Sequence, residues 1–174
     1  MQIMKRVLAL FLLLFILSGC GPTDNISLTY AGKDIECEIA YAWDDMNIRG
    51  IFKSRKSEAG RDIEFTFIEP DALCGVRVKR VDTEVSAELD VIEICADEFA
   101  PWLGVEALFK SEGEIVESSL TELGGERLNK VVLSTEDGNR LEIFLSGDSG
   151  YPVMVCGAVN GRPVEGKVLR FTEK

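Results

Sequence analysis

The chain has 174 residues, 46% of them hydrophobic, with 19 Lys and Arg against 30 Asp and Glu, a formal net charge of −11 and no histidine. A length of this order fits one ordinary domain, and an acidic surface is repelled by phosphate backbones, which excludes nucleic acid as a partner. The lack of histidine removes Ser-His and Cys-His nucleophile pairs and the usual histidine zinc sites.

Lys5 and Arg6 are the only charges before an apolar run from Val7 to Leu17. That run falls short of the roughly 20 residues a helix needs to cross a bilayer, so it reads as a targeting segment. Leu17-Ser18-Gly19-Cys20 follows, small residues before a thiol. It resembles the lipobox of bacterial lipoproteins, in which the cysteine sulfur is joined to diacylglycerol and a peptidase cuts just before it. The resemblance implies that residues 1–19 are a signal peptide and that Cys20 is the lipid attachment site. The domain would then sit lipid-anchored at the extracytoplasmic face of a cell membrane. The competing reading is an ordinary secretory signal with a cysteine at its cleavage site.

Removing 19 residues from 174 leaves 155, with 17 basic against 30 acidic residues, a formal −13. Anionic headgroups would repel such a domain, so the anchor must hold it; two acyl chains supply on the order of 20 kcal/mol. Residues 20–29 read as the lipidated N-terminus and a short polar tether, and 30–174 as a single β-rich domain, expected to be monomeric.

Ile35, Cys37, Ile39, Tyr41 and Trp43 alternate with Glu36, Glu38, Ala40, Ala42 and Asp44, the period of a half-buried strand. Ile63, Phe65 and Phe67 repeat the pattern, then Val76 and Val78, then Val85, Ala87, Leu89 and Val91. Turn signals separate the runs at Ala59-Gly60, Glu69-Pro70-Asp71, Asp82, Gly124-Gly125, Asp137-Gly138, Gly147 to Gly150 and Asn160-Gly161. A spacing of roughly 10 residues predicts an antiparallel meander. Asp137-Gly138 and Asn160-Gly161 suit type I′ hairpins, giving strands near 130–136, 140–146, 151–157 and 163–172. Asp97 to Trp102, with an N-cap candidate, acidic first-turn residues and Pro101, predicts a helix over 98–110. Gly104 weakens it by about 1 kcal/mol. Residues 112–123 show no clean period.

Cys37, Cys74, Cys95 and Cys156 allow two disulfides in three connectivities. Their apolar neighbours favour free thiols that behave as small hydrophobes. No pair has CxxC spacing, so no metal site is expected, and no cofactor motif is present. Gly147-Asp148-Ser149-Gly150 resembles the nucleophile loop of chymotrypsin-like proteases, but no base exists to take the serine proton. A polar turn explains it. Asp44-Asp45 and Glu69 with Asp71 read as solvated turn residues, and Asp137-Gly138-Asn139 lacks the later ligands of a calcium loop. No catalytic residue is assigned.

Phe65 to Val76 (Phe-Thr-Phe-Ile-Glu-Pro-Asp-Ala-Leu-Cys-Gly-Val) and Gly150 to Val155 (Gly-Tyr-Pro-Val-Met-Val) resemble small lipoproteins of Gram-positive bacteria whose fold is similar to the lipoprotein-sorting carriers. The resemblance covers most of 30–174 in element order and is specific in those two pieces. It implies a mainly β (α+β) fold, an antiparallel meander forming an incomplete or half β-barrel with one short helix packed on the concave face. Members hold acyl chains or glycolipids there, or have no assigned ligand. On this chain the candidate apolar groove is Trp43, Phe65 and Phe67 on strands with Trp102, Leu108 and Phe109 on the helix. The expected function is a non-enzymatic, membrane-anchored envelope lipoprotein binding a lipid or other hydrophobic ligand. The alternative is a structural or interaction module of the envelope without a small ligand, marked by an exposed apolar patch or an uncovered sheet edge.

Overall fold

A computed structural model describes residues 28–43, 45–58, 60–81, 84–90, 92–95, 105, 109, 113–135, 138–159 and 161–174, with side chains undescribed at 92–95 and 159. The signal peptide 1–19, Cys20, most of the tether, most of the helix over 98–110, Trp102 and Leu108 lie outside the described residues, as does the side chain of Cys95.

Eleven strands are described: β1 Ile35–Trp43, β2 Met46–Ser57, β3 Gly60–Glu69, β4 Arg77–Val81, β5 Glu84–Leu89, β6 Ile92–Cys95, β7 Glu114–Leu123, β8 Glu126–Ser134, β9 Arg140–Ser146, β10 Pro152–Val159 and β11 Arg162–Glu173. They form one sheet in the order β6-β5-β4-β3-β2-β1-β11-β10-β9-β8-β7. Every pairing is antiparallel. The single meander expected from turn spacing is therefore two meanders, joined in the middle of the sheet where β1 pairs with β11. The connection from β6 to β7 carries the chain from one edge of the open sheet to the other. Val105 and Phe109, both helical, lie on it.

Alternation sorts the side chains onto two faces. In β1, Ile35, Cys37, Ile39, Tyr41 and Trp43 are buried on the inner face, and Glu36, Glu38 and Ala40 are half-buried on the other. Pairing continues the inner row through Ile48 and Phe52, Phe65 and Phe67, Val78, and on the other side Val164, Val155, Ile143 and Leu133. Val105 is fully buried in this core, and Leu28 and Phe109 pack against it.

β2 was not legible from periodicity, for a packing reason. Its inner row reads Ile48, Gly50, Phe52, Ser54. A Cβ on Gly50 would stand 2.4 Å from Phe65 Cζ and 2.5 Å from the Thr66 carbonyl oxygen, so the aromatic ring of β3 fills the side-chain space of β2 there. The β8–β9 turn also departs from expectation. The strands end at Ser134 and restart at Arg140. Thr135 N–H donates to Asn139 O, and Gly138 N–H to Thr135 O, both at 2.9 Å. Thr135 and Asn139 thus close the connection, with Gly138 left-handed at φ 78°, while Asp137 of the expected turn lies outside the described residues. Strand β8 starts at 126, before the expected 130, while Val159 pairs with Arg162 across the expected Asn160-Gly161 turn, of which Asn160 lies outside the described residues.

Candidate functional site

The inner face is the candidate site, and it is built by β1, β2 and β3. Their alternation points Trp43, Phe65 and Phe67 inward, where they are 7%, 0% and 1% exposed. Phe65 meets Phe67 edge to face at 4.7 Å, and Tyr41 meets Phe65 at 6.2 Å in the same manner. Such pairs add about 0.5–1.5 kcal/mol beyond the area they bury. From the crossover, Phe109 lies flat on Phe52, centroids 3.9 Å apart and rings 12° from parallel. The structure thus brings Trp43, Phe65, Phe67 and Phe109 to one face of the sheet. Phe52, the partner of Phe109, was not among the expected groove residues, because Gly50 and Ser54 on either side conceal the period that would have marked it.

Where Phe109 meets the sheet, among the described residues, lies a void of about 20 Å³ lined by Tyr30, Ile35, Phe52, Ser54 and Arg61 among others, about the room one water needs. Burial drives the hydroxyl of Tyr30 and the thiol of Cys37, both facing this core, well above their ordinary pKa. Burial does the same to the phenol of Tyr41. All three are neutral at any physiological pH, so this face offers a ligand shape and apolar area rather than charge.

The opposite face is organised by ion pairs. In register across the sheet, Glu36 stands opposite Lys53, Lys53 opposite Glu64, and Glu64 opposite Lys79. A second rung sets Glu38 between Arg170, 3.8 Å away, and Arg49, whose Nε donates to it at 2.7 Å. A shallow concavity of about 520 Å³ floored by Ala40 and Ala42 lies beside this rung, with Arg49 and Glu69 on one flank and Glu165 and Lys167 on the other. Cross-strand pairs of opposite charge contribute roughly 0.2–1 kcal/mol each, and exposed ones sit at the lower end.

Among the described thiols, Cys37 and Cys156 are not activated. Cys37, Cys74 and Cys156 are free. Cys156 is pushed up by burial and then by the carboxylates of Glu165 and Glu142, the opposite of an activated thiol. Ser149 sits in the turn between β9 and β10, where its Oγ accepts from Tyr151 N–H at 3.3 Å. Glu69 receives Arg49 at 3.3 Å. Among the described residues no group of three or more Cys, Asp or Glu could hold a metal ion.

No family model and no curated protein matches the sequence. Among solved structures, an uncharacterized conserved protein from Thermus thermophilus matches at 10% identity with a TM-score of 0.53, over 86% of this chain and 84% of that one. It shares the fold. A chain of the Pseudomonas aeruginosa MucA/MucB complex matches at 13% identity and a TM-score of 0.44, over 82% of this chain. The present chain spans about half of that one, 52%. A LolA superfamily protein from Nitrosomonas europaea matches at 8% identity and a TM-score of 0.37, over 82% and 86% of the two chains.

Proposed function

We propose that the chain is a lipid-anchored, non-catalytic protein of a bacterial envelope that holds an acyl chain or a similarly apolar ligand between the inner face of its sheet and the β6–β7 crossover. The observation that carries this reading is the Phe109–Phe52 stack, where the crossover covers an apolar sheet face ring on ring. Magnitudes make opening plausible. Lifting one aromatic side chain off such a face costs about 1.5–3 kcal/mol of burial and about 1 kcal/mol of ring pairing. Each methylene of an incoming chain returns about 0.8 kcal/mol. About five methylenes therefore offset the displacement of Phe109, and a longer chain binds with a surplus.

Titrating the full chain with an environment-sensitive fatty-acid probe is the test. Saturable binding with a change in tryptophan emission is expected, and Phe109→Ala should tighten it by removing the side chain that competes with the ligand. Trp102→Ala should weaken the emission change. A titration without saturation up to probe solubility overturns the reading. The anchor is tested separately: Cys20→Ala should abolish incorporation of labelled fatty acid, and unchanged labelling would sink it. A second reading, an envelope module without a small ligand, is favoured by the void of only about 20 Å³ beside Phe109.

A further inference from the structure

The two edges of the sheet differ in kind. β6 is four residues long, whereas β7 is ten, and among the described residues nothing pairs with the outer edge of β7. Natural edge strands are guarded by charged side chains, Lys above all, by Pro, by short length or by bulges. β7 contains neither Lys nor Pro; its guards are one register shift at Val116 and the acids Glu114, Glu117 and Glu122, which repel another acidic strand but not a basic one.

Its side chains stay in water. Leu120 is 81% exposed, Val116 50%, Leu123 45% and Ile115 38%. Register with β8 sorts them: Ile115 opposite buried Leu133, Ser118 opposite buried Val131, and Leu120 opposite Asn129 share the inner face. Glu114 and Glu117 fall on the outer face, opposite Ser134 and Val132. Glu117 forms one long, exposed ion pair among the described residues, with Arg140 at 3.8 Å.

We propose that β7 is a docking edge that takes an extended strand of another protein, one alternating apolar and basic residues. The incoming backbone would hydrogen-bond to the free edge, its apolar residues would cover Ile115 and Leu120, and its Lys or Arg residues would face Glu114 and Glu117. This is strand addition, in which main-chain bonds supply affinity and alternate side chains supply specificity. A second copy of the chain fits less well, because its β7 brings three more acids, Glu114, Glu117 and Glu122, and no Lys or Arg to neutralise those already on this edge. The proposal is independent of the inner-face ligand and stands or falls without it.

The test titrates the full chain with a labelled peptide of alternating lysine and valine matching the ten residues of β7. Two controls accompany it, alternating glutamate and valine, and the lysine-valine pattern interrupted by prolines. Saturable binding of the lysine-valine peptide alone is expected, weakening with salt and slowing amide exchange over 114–123. Leu120→Lys combined with Glu117→Lys should weaken it about tenfold or more. Glu117→Gln, a minimal change at an exposed site, should lower the salt dependence while leaving the melting temperature unchanged. Equal binding of all three peptides, or protection appearing elsewhere than 114–123, overturns the proposal. So does a dimer of the chain that Leu120→Lys dissolves, which would make a second copy the occupant.

Discussion

Strands β1 and β7 belong to the same sheet and have nearly the same length, nine and ten residues, yet one is plain in the sequence and the other is invisible. In β1 every second residue is buried and the residues between are half-buried or exposed. In β7 eight of ten residues are exposed and none is buried. Both are held by antiparallel pairing along their length, in β7 with one register shift at Val116. Alternation in sequence thus records a difference between two environments, core on one side and solvent on the other, and not the act of forming a strand. A strand with solvent on both faces has nothing to alternate about.

Substitutions can break or sharpen that contrast. The largest effect is expected at Phe65, fully buried on the inner row of β3: Phe65→Ala should cost about 3–5 kcal/mol in urea unfolding. Gly50→Ala comes next. The added methyl group would press on the Phe65 ring and the Thr66 carbonyl, for a loss of about 1–3 kcal/mol; a neutral result would show that the ring can retreat.

The outer-face rows should respond more weakly and through pH. The hydrogen bond from Lys174 lowers the pKa of Glu36 in the folded state. A depressed carboxyl stabilises the fold above its unfolded pKa and loses that contribution as pH falls through the folded value. Glu36→Gln should therefore cost under about 1 kcal/mol near neutrality, with the difference from the parent protein fading in acid and in high salt. The smallest effect belongs to β7, where Leu120→Ala should stay within about 0.5 kcal/mol. A larger loss would mean that Leu120 is covered in solution.

Particular residues show where sequence reasoning reached and where it stopped. Trp43, Phe65 and Phe67 were legible as inner-face residues because unbroken alternation surrounds them. Phe52 was not, because its neighbours on the inner row are Gly50, emptied to admit Phe65, and Ser54, whose hydroxyl accepts from Arg61 at 2.8 Å. The closing of the β8–β9 connection at Thr135 and Asn139 was not legible either, since Gly138 at positive φ suits turns of more than one length. The rung of Glu38 with Arg49 and Arg170 was out of reach for another reason. Arg49 comes to Glu38 through the β1–β2 hairpin, but Arg170 is far away in the chain, and only the pairing of β1 with β11 makes it a neighbour.

That pairing also sets an order of events. Ile35 stands beside Glu173, and Lys174 N–H donates to Asp34 O at 3.0 Å, so the central seam of the sheet is closed by the contact of longest sequence separation. A chain emerging N-terminus first can assemble β1 to β6 as successive hairpins, and β7 to β10 likewise. Until residues 162–173 arrive, each half keeps an open edge. Contacts of such separation are slow to form because loop entropy is spent before they reward it. The vulnerable interval in the life of this protein is therefore the wait for its final strand, when two half-sheets with exposed inner faces coexist and any other unpaired strand can take the place of β11.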